Sequence, residues 1–174
     1  LRAGDSVNGG VTARLDGYNG DTSRTFAVGK ISPEALRLME VTRECLRLGI
    51  AQCRPRARFS DIGSAIQPFA ESQGCSVVRE YCGHGIGREF HAEPQVAHYD
   101  AGDDHRRMKP GMTFTIEPMI NLGVWETRRL RDGWTVKTRD GKLSAQYEHT
   151  VLITRDGVDI LTDPEKLPGT QYAG

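Results

Sequence analysis

Apolar and polar residues alternate in short runs over the first thirty positions. Val11-Thr12-Ala13-Arg14-Leu15 and Ser23-Arg24-Thr25-Phe26-Ala27-Val28 flank Asp16-Gly17, a two-residue turn signal, and predict a hairpin between Asp5 and Gly29. A two-residue turn fixes the register. Thr12 should stand opposite Asp21, with position 10 one diagonal step away on the same face. The period then changes. Ser32-Pro33-Glu34 reads as a cap, a proline at the first helical position and an acid in the first turn. Leu36, Met39, Leu46 and Ile50 carry a helical stripe up to Arg54-Pro55. A second helix is expected from Ser60 or Asp61 to Gly74, with Ile62, Ile66 and Phe69 on its stripe and Pro68 inside, where it should kink or weaken the helix.

The remainder reads as strand and loop. Val77-Val78 leads into Gly83-His84-Gly85-Ile86-Gly87. Pro110-Gly111, a type II turn signal, launches Met112–Glu117. Asp132-Gly133 precedes Trp134–Lys137, and Asp140-Gly141 turns the chain into Leu143–Thr154, the longest strand-like run. Strands, two helices and further strands predict one α+β domain over residues 1–162, followed by a flexible tail over 163–174 with two prolines and little hydrophobicity.

Composition narrows the functional classes. At 174 residues with 37% apolar side chains, one domain can bury a core without staples. Lys+Arg and Asp+Glu are 23 each, so the broad basic footprint of a nucleic-acid binder is missing. No run approaches the roughly 20 apolar residues of a membrane span, and no secretory signal pattern is visible. Cys45, Cys53, Cys75 and Cys82 form no C-x-x-C pair. They predict neither a zinc ribbon nor a disulfide scaffold, and a reducing cytoplasmic setting is the expectation.

Four polar residues stand out. Glu117 follows Phe114 and Ile116 at the end of an apolar strand, and Glu148 lies within Ala145–Val151. His84 sits between glycines, and Asp21 lies on the hairpin's second strand. Carboxylates and an imidazole converging from separate strands need something to offset repulsion and desolvation, which a divalent cation does. Such an oxygen-rich set suits manganese, iron, cobalt or zinc better than a thiolate site. A strand carboxylate is more often solvated surface, so on the residues alone both readings stand. Cys82 reads as a pocket-wall residue rather than a nucleophile. His98 and His105 carry no specific signal, and His149 should face away from Glu148. The glycine run is G-x-G-x-G, which is not a dinucleotide loop. Neither a nucleophile elbow nor an H-E-x-x-H helix is present.

Longer motifs carry a resemblance. Tyr81–Gly87 with Phe90-His91 and Glu93-Pro94, then Lys109–Pro118, Gly133–Thr138, Ser144–Thr150 and the earlier Gly20-Asp21-Thr22-Ser23 resemble the type I, bacterial-type methionine aminopeptidases, in family order from near residue 5 to near residue 162. The resemblance implies the pita-bread fold, a curved antiparallel sheet with outer helices. It implies two divalent ions, with His84 and Glu117 on one and Asp21 and Glu148 bridging both. His91 would contact the scissile amide as a catalytic group, and Glu117 would double as general base. Phe90 and Trp134 would wall the methionine pocket, with Tyr81 and Cys82 close by. The implied activity is removal of the initiator methionine from polypeptides whose second residue is small. Nascent chains would be the partners, the ribosome a transient one, and neither nucleic acid nor membrane is among them.

Two departures accompany the resemblance. Gly10 stands where the family has an Asp ligand of the second metal, so at most one tightly held ion is expected. The family's N-terminal portion has no counterpart here. That portion supplies another active-site histidine, parts of the methionine pocket and half of the pseudo-symmetric sheet, so an uncovered sheet edge is expected. Two rivals follow: a pita-bread module that binds a peptide or partner without cleaving it, and a proline-directed aminopeptidase with the same ligands. The Trp134 and Ser144–Thr150 motifs favour the methionine type over the latter.

Overall fold

The structure, a computed structural model, describes residues 1–102 and 104–164. The tail expectation falls mostly on 165–174, outside the described residues. The hairpin forms as β1 (Ser6–Leu15) and β2 (Tyr18–Ala27), joined at Asp16 and Gly17, both with positive φ as a twisted two-residue turn requires. Its register is the expected one, with Thr12 opposite Asp21 and Gly10 opposite Ser23.

Helix α1 (Pro33–Ala51) starts where its cap chemistry says: the Ser32 side chain accepts the Ala35 N–H. The buried stripe is Ala35, Leu38, Thr42, Cys45 and Gly49, flanked by Val41, Leu46 and Ile50. The expected position Leu36 is a correction. It falls outside the 3–4–3–4 spacing of that stripe and is about half exposed. Helix α2 (Ser60–Ser72) buries Ile62, Ile66 and Ala70 and runs through Pro68 without ending. Pro68 and Ser64, whose carbonyl it frees, are both exposed, so water can take the missing donor's place. The helices pack on each other, and α1 lies against β6, β7 and β10.

The later strands are β3 (Ser76–Val77), β4 (Gly83–Gly85), β5 (Ala92–Val96), β6 (Thr113–Ile116), β7 (Met119–Asn121), β8 (Thr127–Arg129), β9 (Val136–Thr138), β10 (Ser144–Gln146), β11 (His149–Ile153) and β12 (Val158–Ile160). All pairings among them are antiparallel, in sheets ordered β12-β11-β6-β4-β5, β10-β7-β3 and β8-β9. Ile62, Ile66, Phe114, Ile116, Ile120, Val151 and Ile153 are fully buried between the sheets and the helices, and Phe59 meets Phe114 edge-on at 5.1 Å. That core fixes the inner ends of β6 and β11.

One expectation is corrected in a way that matters for chemistry. Leu143–Thr154 is not one strand. It breaks at Tyr147-Glu148, and opposite it the β6–β7 run breaks at Glu117-Pro118. One register runs through both sheets, with Ile116 opposite His149 on one side of the gap and Met119 opposite Gln146 on the other. Glu117 and Glu148 therefore face each other where the ladder lapses, and Pro118 has no N–H to continue it. Strand β2 closes the gap from the side. Ser23 exchanges backbone hydrogen bonds with Glu148, and the Thr150 hydroxyl accepts from the Asp21 N–H and donates to the Asp21 carbonyl.

Strand β1 pairs only with β2 among the described residues, leaving Val11, Leu15, Tyr18 and Phe26 exposed on the hairpin.

Candidate metal centre

Glycines on either side of His84 let it enter the sheet. A Cβ at Gly83 would lie 2.3 Å from the Thr115 carbonyl oxygen, and one at Gly85 would lie 2.2 Å from that of Glu93. The G-x-G spacing is thus a packing requirement of β4 between β6 and β5 rather than a turn. His84 is buried, and its Nδ1 lies 3.1 Å from the Gly85 carbonyl oxygen. A carbonyl only accepts, so Nδ1 carries the proton and Nε2 presents its lone pair. Burial lowers the His84 pKa, with the Gly85 carbonyl opposing, so the ring is neutral near pH 7.

One ligand atom each from Asp21, His84 and Glu148 lies within 4.8 Å of the others. Glu117 stands at the edge of this group, with Oε1 3.7 Å from His84 Nε2. Its other contacts hold it from every side. The Thr115 hydroxyl donates to Oε1 at 2.8 Å, Gln146 Nε2 donates to Oε2 at 3.1 Å, and the backbone N–H donates to His98 Nε2 at 3.0 Å. Burial pushes the Glu117 carboxyl up to about 7, with the Thr115 and Gln146 hydrogen bonds opposing and the Asp21 charge adding to the rise. Burial, then Glu117 and Asp21, push Glu148 up to about 8. The buried Glu148 Oε1 has no hydrogen-bond donor. A buried and a half-buried carboxyl held above their usual range, an orphaned buried oxygen and a neutral imidazole lone pair, with Asp21, His84 and Glu148 offering ligand atoms within 4.8 Å of one another, fit a divalent cation.

A cleft of about 590 Å³ opens onto Asp21, His84 and Glu117, with Glu148 behind them, and is also lined by Tyr81, Cys82, Glu89, His91, Glu93, Gln95 and Met119. His91 is exposed, with its ring 4.3 Å from that of His84, and Phe90 packs against both rings rather than lining the cleft. Burial and the Glu117 charge raise the Cys82 pKa, which disfavours a thiolate and agrees with a wall role. All four cysteines are free thiols. His149 turns away from the cluster, as expected, and bonds Thr162.

Trp134 departs from expectation. It is 88% exposed, just ahead of β9, and lines a neighbouring, more apolar cavity of about 620 Å³ with Val78, Val136 and Ser144. Tyr81 and Met119 border both spaces. The Asp132 carboxylate caps the Trp134 and Thr135 N–H groups and so fixes the turn, while nothing in the described residues covers the ring.

Sequence reasoning missed Thr115, Gln146, His98 and Asn19. Asn19 holds the loop after β4 by donating to the Gly87 and Arg88 carbonyls. Thr115 carried a readable signal, since period two puts it on the face of Glu117. His98 carried none: its partner is 19 positions away, and its burial, which lowers its pKa to about 3, is purely tertiary.

Residues 1–155 match Metallopeptidase family M24, and the chain belongs to that family. Membership implies use of a divalent metal, and the architecture is the family's pita-bread fold. Within the family the chain is most informatively compared with methionine aminopeptidases. It is 58% identical over 162 residues to methionine aminopeptidase A of Synechocystis sp., covering 93% of this chain and 64% of that protein. It superposes on methionine aminopeptidase from Rickettsia prowazekii with a TM-score of 0.91 at 49% identity, over 94% of this chain and 66% of that one. Prolidase from Pyrococcus furiosus is more distant, with a TM-score of 0.73 at 26% identity over 95% of this chain and 43% of that one. The chain thus spans less than two-thirds of the length of each.

Proposed function

We propose that this chain is a metal-dependent methionine aminopeptidase catalytic unit that removes the initiator methionine from polypeptides with a small second residue. The observation that carries the reading is the convergence of Asp21, His84 and Glu148 within 4.8 Å, with Glu117 beside them. His84, Glu117, Asp21 and Glu148 would hold one divalent ion (cobalt, manganese, iron or zinc). When bound, it lowers the pKa of a water nucleophile and polarises the scissile carbonyl.

The chain's own residues supply the rest. Glu117, held by the Thr115 hydroxyl and the Gln146 amide, takes the proton from the water as its oxygen attacks the first peptide carbonyl. It then returns that proton to the leaving amine as the C–N bond breaks. His91, at the mouth of the cleft, donates a hydrogen bond to the oxygen that gains charge at the tetrahedral stage. Tyr81 and Cys82 wall the methionine side, and Phe90 buttresses His91. Trp134 reaches the methionine only across the space that Tyr81 and Met119 border. Nascent N-termini, transiently on the ribosome, and a cytoplasmic setting complete the proposal. Among the described residues no helix is long and apolar enough to cross a membrane.

A specific observation favours a second reading, an impaired module that binds peptide without cleaving it. Gly10 lies on the site face of the hairpin and offers no ligand. The test assays the full chain and its Gly10→Asp variant on a Met-Ala-Ser peptide with Mn²⁺ or Co²⁺. Methionine release by the unaltered chain is expected and would reject the impaired module. Release by the variant alone would establish it. Faster release from an X-Pro peptide would shift the assignment to a proline-directed enzyme.

A further inference from the structure

Thr115 does not line the cleft and lies outside the cluster of ligand atoms, yet its hydroxyl joins two members of the site. It is fully buried on β6, opposite Thr150 of β11. Its Oγ1 lies 3.0 Å from the His84 backbone nitrogen and 2.8 Å from Glu117 Oε1. The directions of these bonds are forced. A backbone N–H can only donate, so Oγ1 accepts there, and the single hydroxyl proton is left for Glu117.

Three consequences follow. The Glu117 carboxylate is fixed in rotamer, because Thr115 occupies one side of Oε1 while Gln146 engages Oε2. The ionised carboxylate, which alone can ligate, gains a charge-assisted donor in a dry environment. The His84 backbone is tied to the same oxygen atom, so the 3.7 Å separation of His84 Nε2 and Glu117 Oε1 is set through one intermediary. The tie sits where it is needed, since β4 pairs with β6 at only one residue, Gly85 with Phe114.

We infer that Thr115 is a positioning residue whose hydroxyl holds His84 and Glu117 in mutual register for cation binding; this rests on the reading of the site as a metal centre. Valine at 115 has nearly the shape of threonine and removes only the hydroxyl. It leaves the His84 N–H and Glu117 Oε1 each short of a buried partner. Serine restores both hydrogen bonds with less bulk.

The experiment is Co²⁺ titration of the full chain and of its Thr115→Val, Thr115→Ala and Thr115→Ser variants. It reads Kd and the visible d–d band of the bound ion, with metal-free Tm measured in parallel. The expected result is a Kd raised about tenfold or more in Thr115→Val and Thr115→Ala. Their d–d bands should also be altered, and Thr115→Ser should lie within about threefold of the parent with the parental band. A merely structural threonine would lower Tm and leave the spectrum of the loaded site unmoved. Parental Kd and band in a folded Thr115→Val or Thr115→Ala chain would overturn the inference. A tenfold loss in Thr115→Ser would do so by itself, even if the other two variants failed to fold. Absence of Co²⁺ binding by the parent would instead remove the metal centre, and this inference with it.

Discussion

The candidate site has two unlike walls, and a pair of threonines shows the difference. Thr115 donates to Glu117 at 2.8 Å, and Thr12 donates to Asp21 at 2.9 Å. Each hydroxyl touches a carboxylate of the site at nearly the same length. Thr115 is fully buried on β6, with His84, Glu148, Gln146 and His98 packed around the same gap in the ladder. Thr12 lies on the exposed hairpin, next to Gly10 and with nothing charged on its face except Asp21 and Arg14. The core wall is preorganised by buried contacts. The hairpin wall contributes one carboxylate from a ribbon that is tied down chiefly along β2. Affinity should therefore reside in the core wall, and the number of ions held should be decided by the hairpin wall.

The largest test of that division is His84→Ala. It removes the only neutral lone pair in the cluster and should weaken Mn²⁺ or Co²⁺ binding by about 100-fold or more, read by calorimetry, with the helical circular dichroism signal retained. Undiminished binding would mean that the cluster is not the metal centre. Next is Gly10→Asp. A Cβ at position 10 meets nothing nearer than the Ser23 Cβ at 3.7 Å, so a side chain fits without strain. Its carboxylate would share the face of Asp21. Metal analysis after dialysis should find about one ion per chain in the parent and more than one in the variant. Two tightly held ions in the parent would refute the claim that the hairpin wall is short of a ligand.

A pH series sharpens the same contrast. Glu117 and Glu148 titrate near 7 and 8 in the fold against about 4.3 in an unfolded chain. The folded state therefore binds more protons than the unfolded one throughout that interval. Stability drawn from these groups is present at low pH and is lost as pH rises through the folded values. Between pH 6.5 and 8 the metal-free chain should show a net loss of about 1 kcal/mol, measured by urea unfolding. His84, His98 and His149, whose pKa values burial lowers, pull the other way below the window and in its lower part, which offsets part of the carboxyl loss there. Saturating Mn²⁺ should flatten or reverse the fall, because the ion requires both carboxylates ionised. A metal-free chain that gains stability over this window would contradict the burial of the pair.

The two walls were also unequally legible in the sequence. The hairpin could be read almost completely, because Asp16-Gly17 dictates a two-residue turn and a two-residue turn dictates register, down to Thr12 opposite Asp21. The ligand types were legible too, as carboxylates in strand-like apolar runs. The break at Tyr147-Glu148 was not. The local pattern of Leu143–Thr154 stays strand-like, and only the crossing of β2 at Ser23 and the lapse opposite Pro118 interrupt it. Trp134 looked like a pocket wall from its motif but stands in solvent, because a turn sequence specifies its own geometry and not what covers it. His98 reads as a loop residue, and its role exists only because the end of β6 leaves the Glu117 N–H without a ladder partner. Local chemistry wrote the ribbon, while long-range packing wrote the core wall.

The smallest expected effect is the one that isolates exposure from chemistry. Thr12→Val removes a hydroxyl hydrogen bond to a site carboxylate, as Thr115→Val does, at a length differing by 0.1 Å. At Thr12, water can replace the lost donor, so the net cost is about 0.5 kcal/mol or less, a factor of about two in Co²⁺ affinity. The variant should keep the parental d–d band, because Asp21 stays oriented through its backbone bonds to Thr150. If Thr12→Val instead matched Thr115→Val, the hairpin wall would be as preorganised as the core wall. Gly10 would then be a gap in a rigid site rather than one feature of a pliant ribbon.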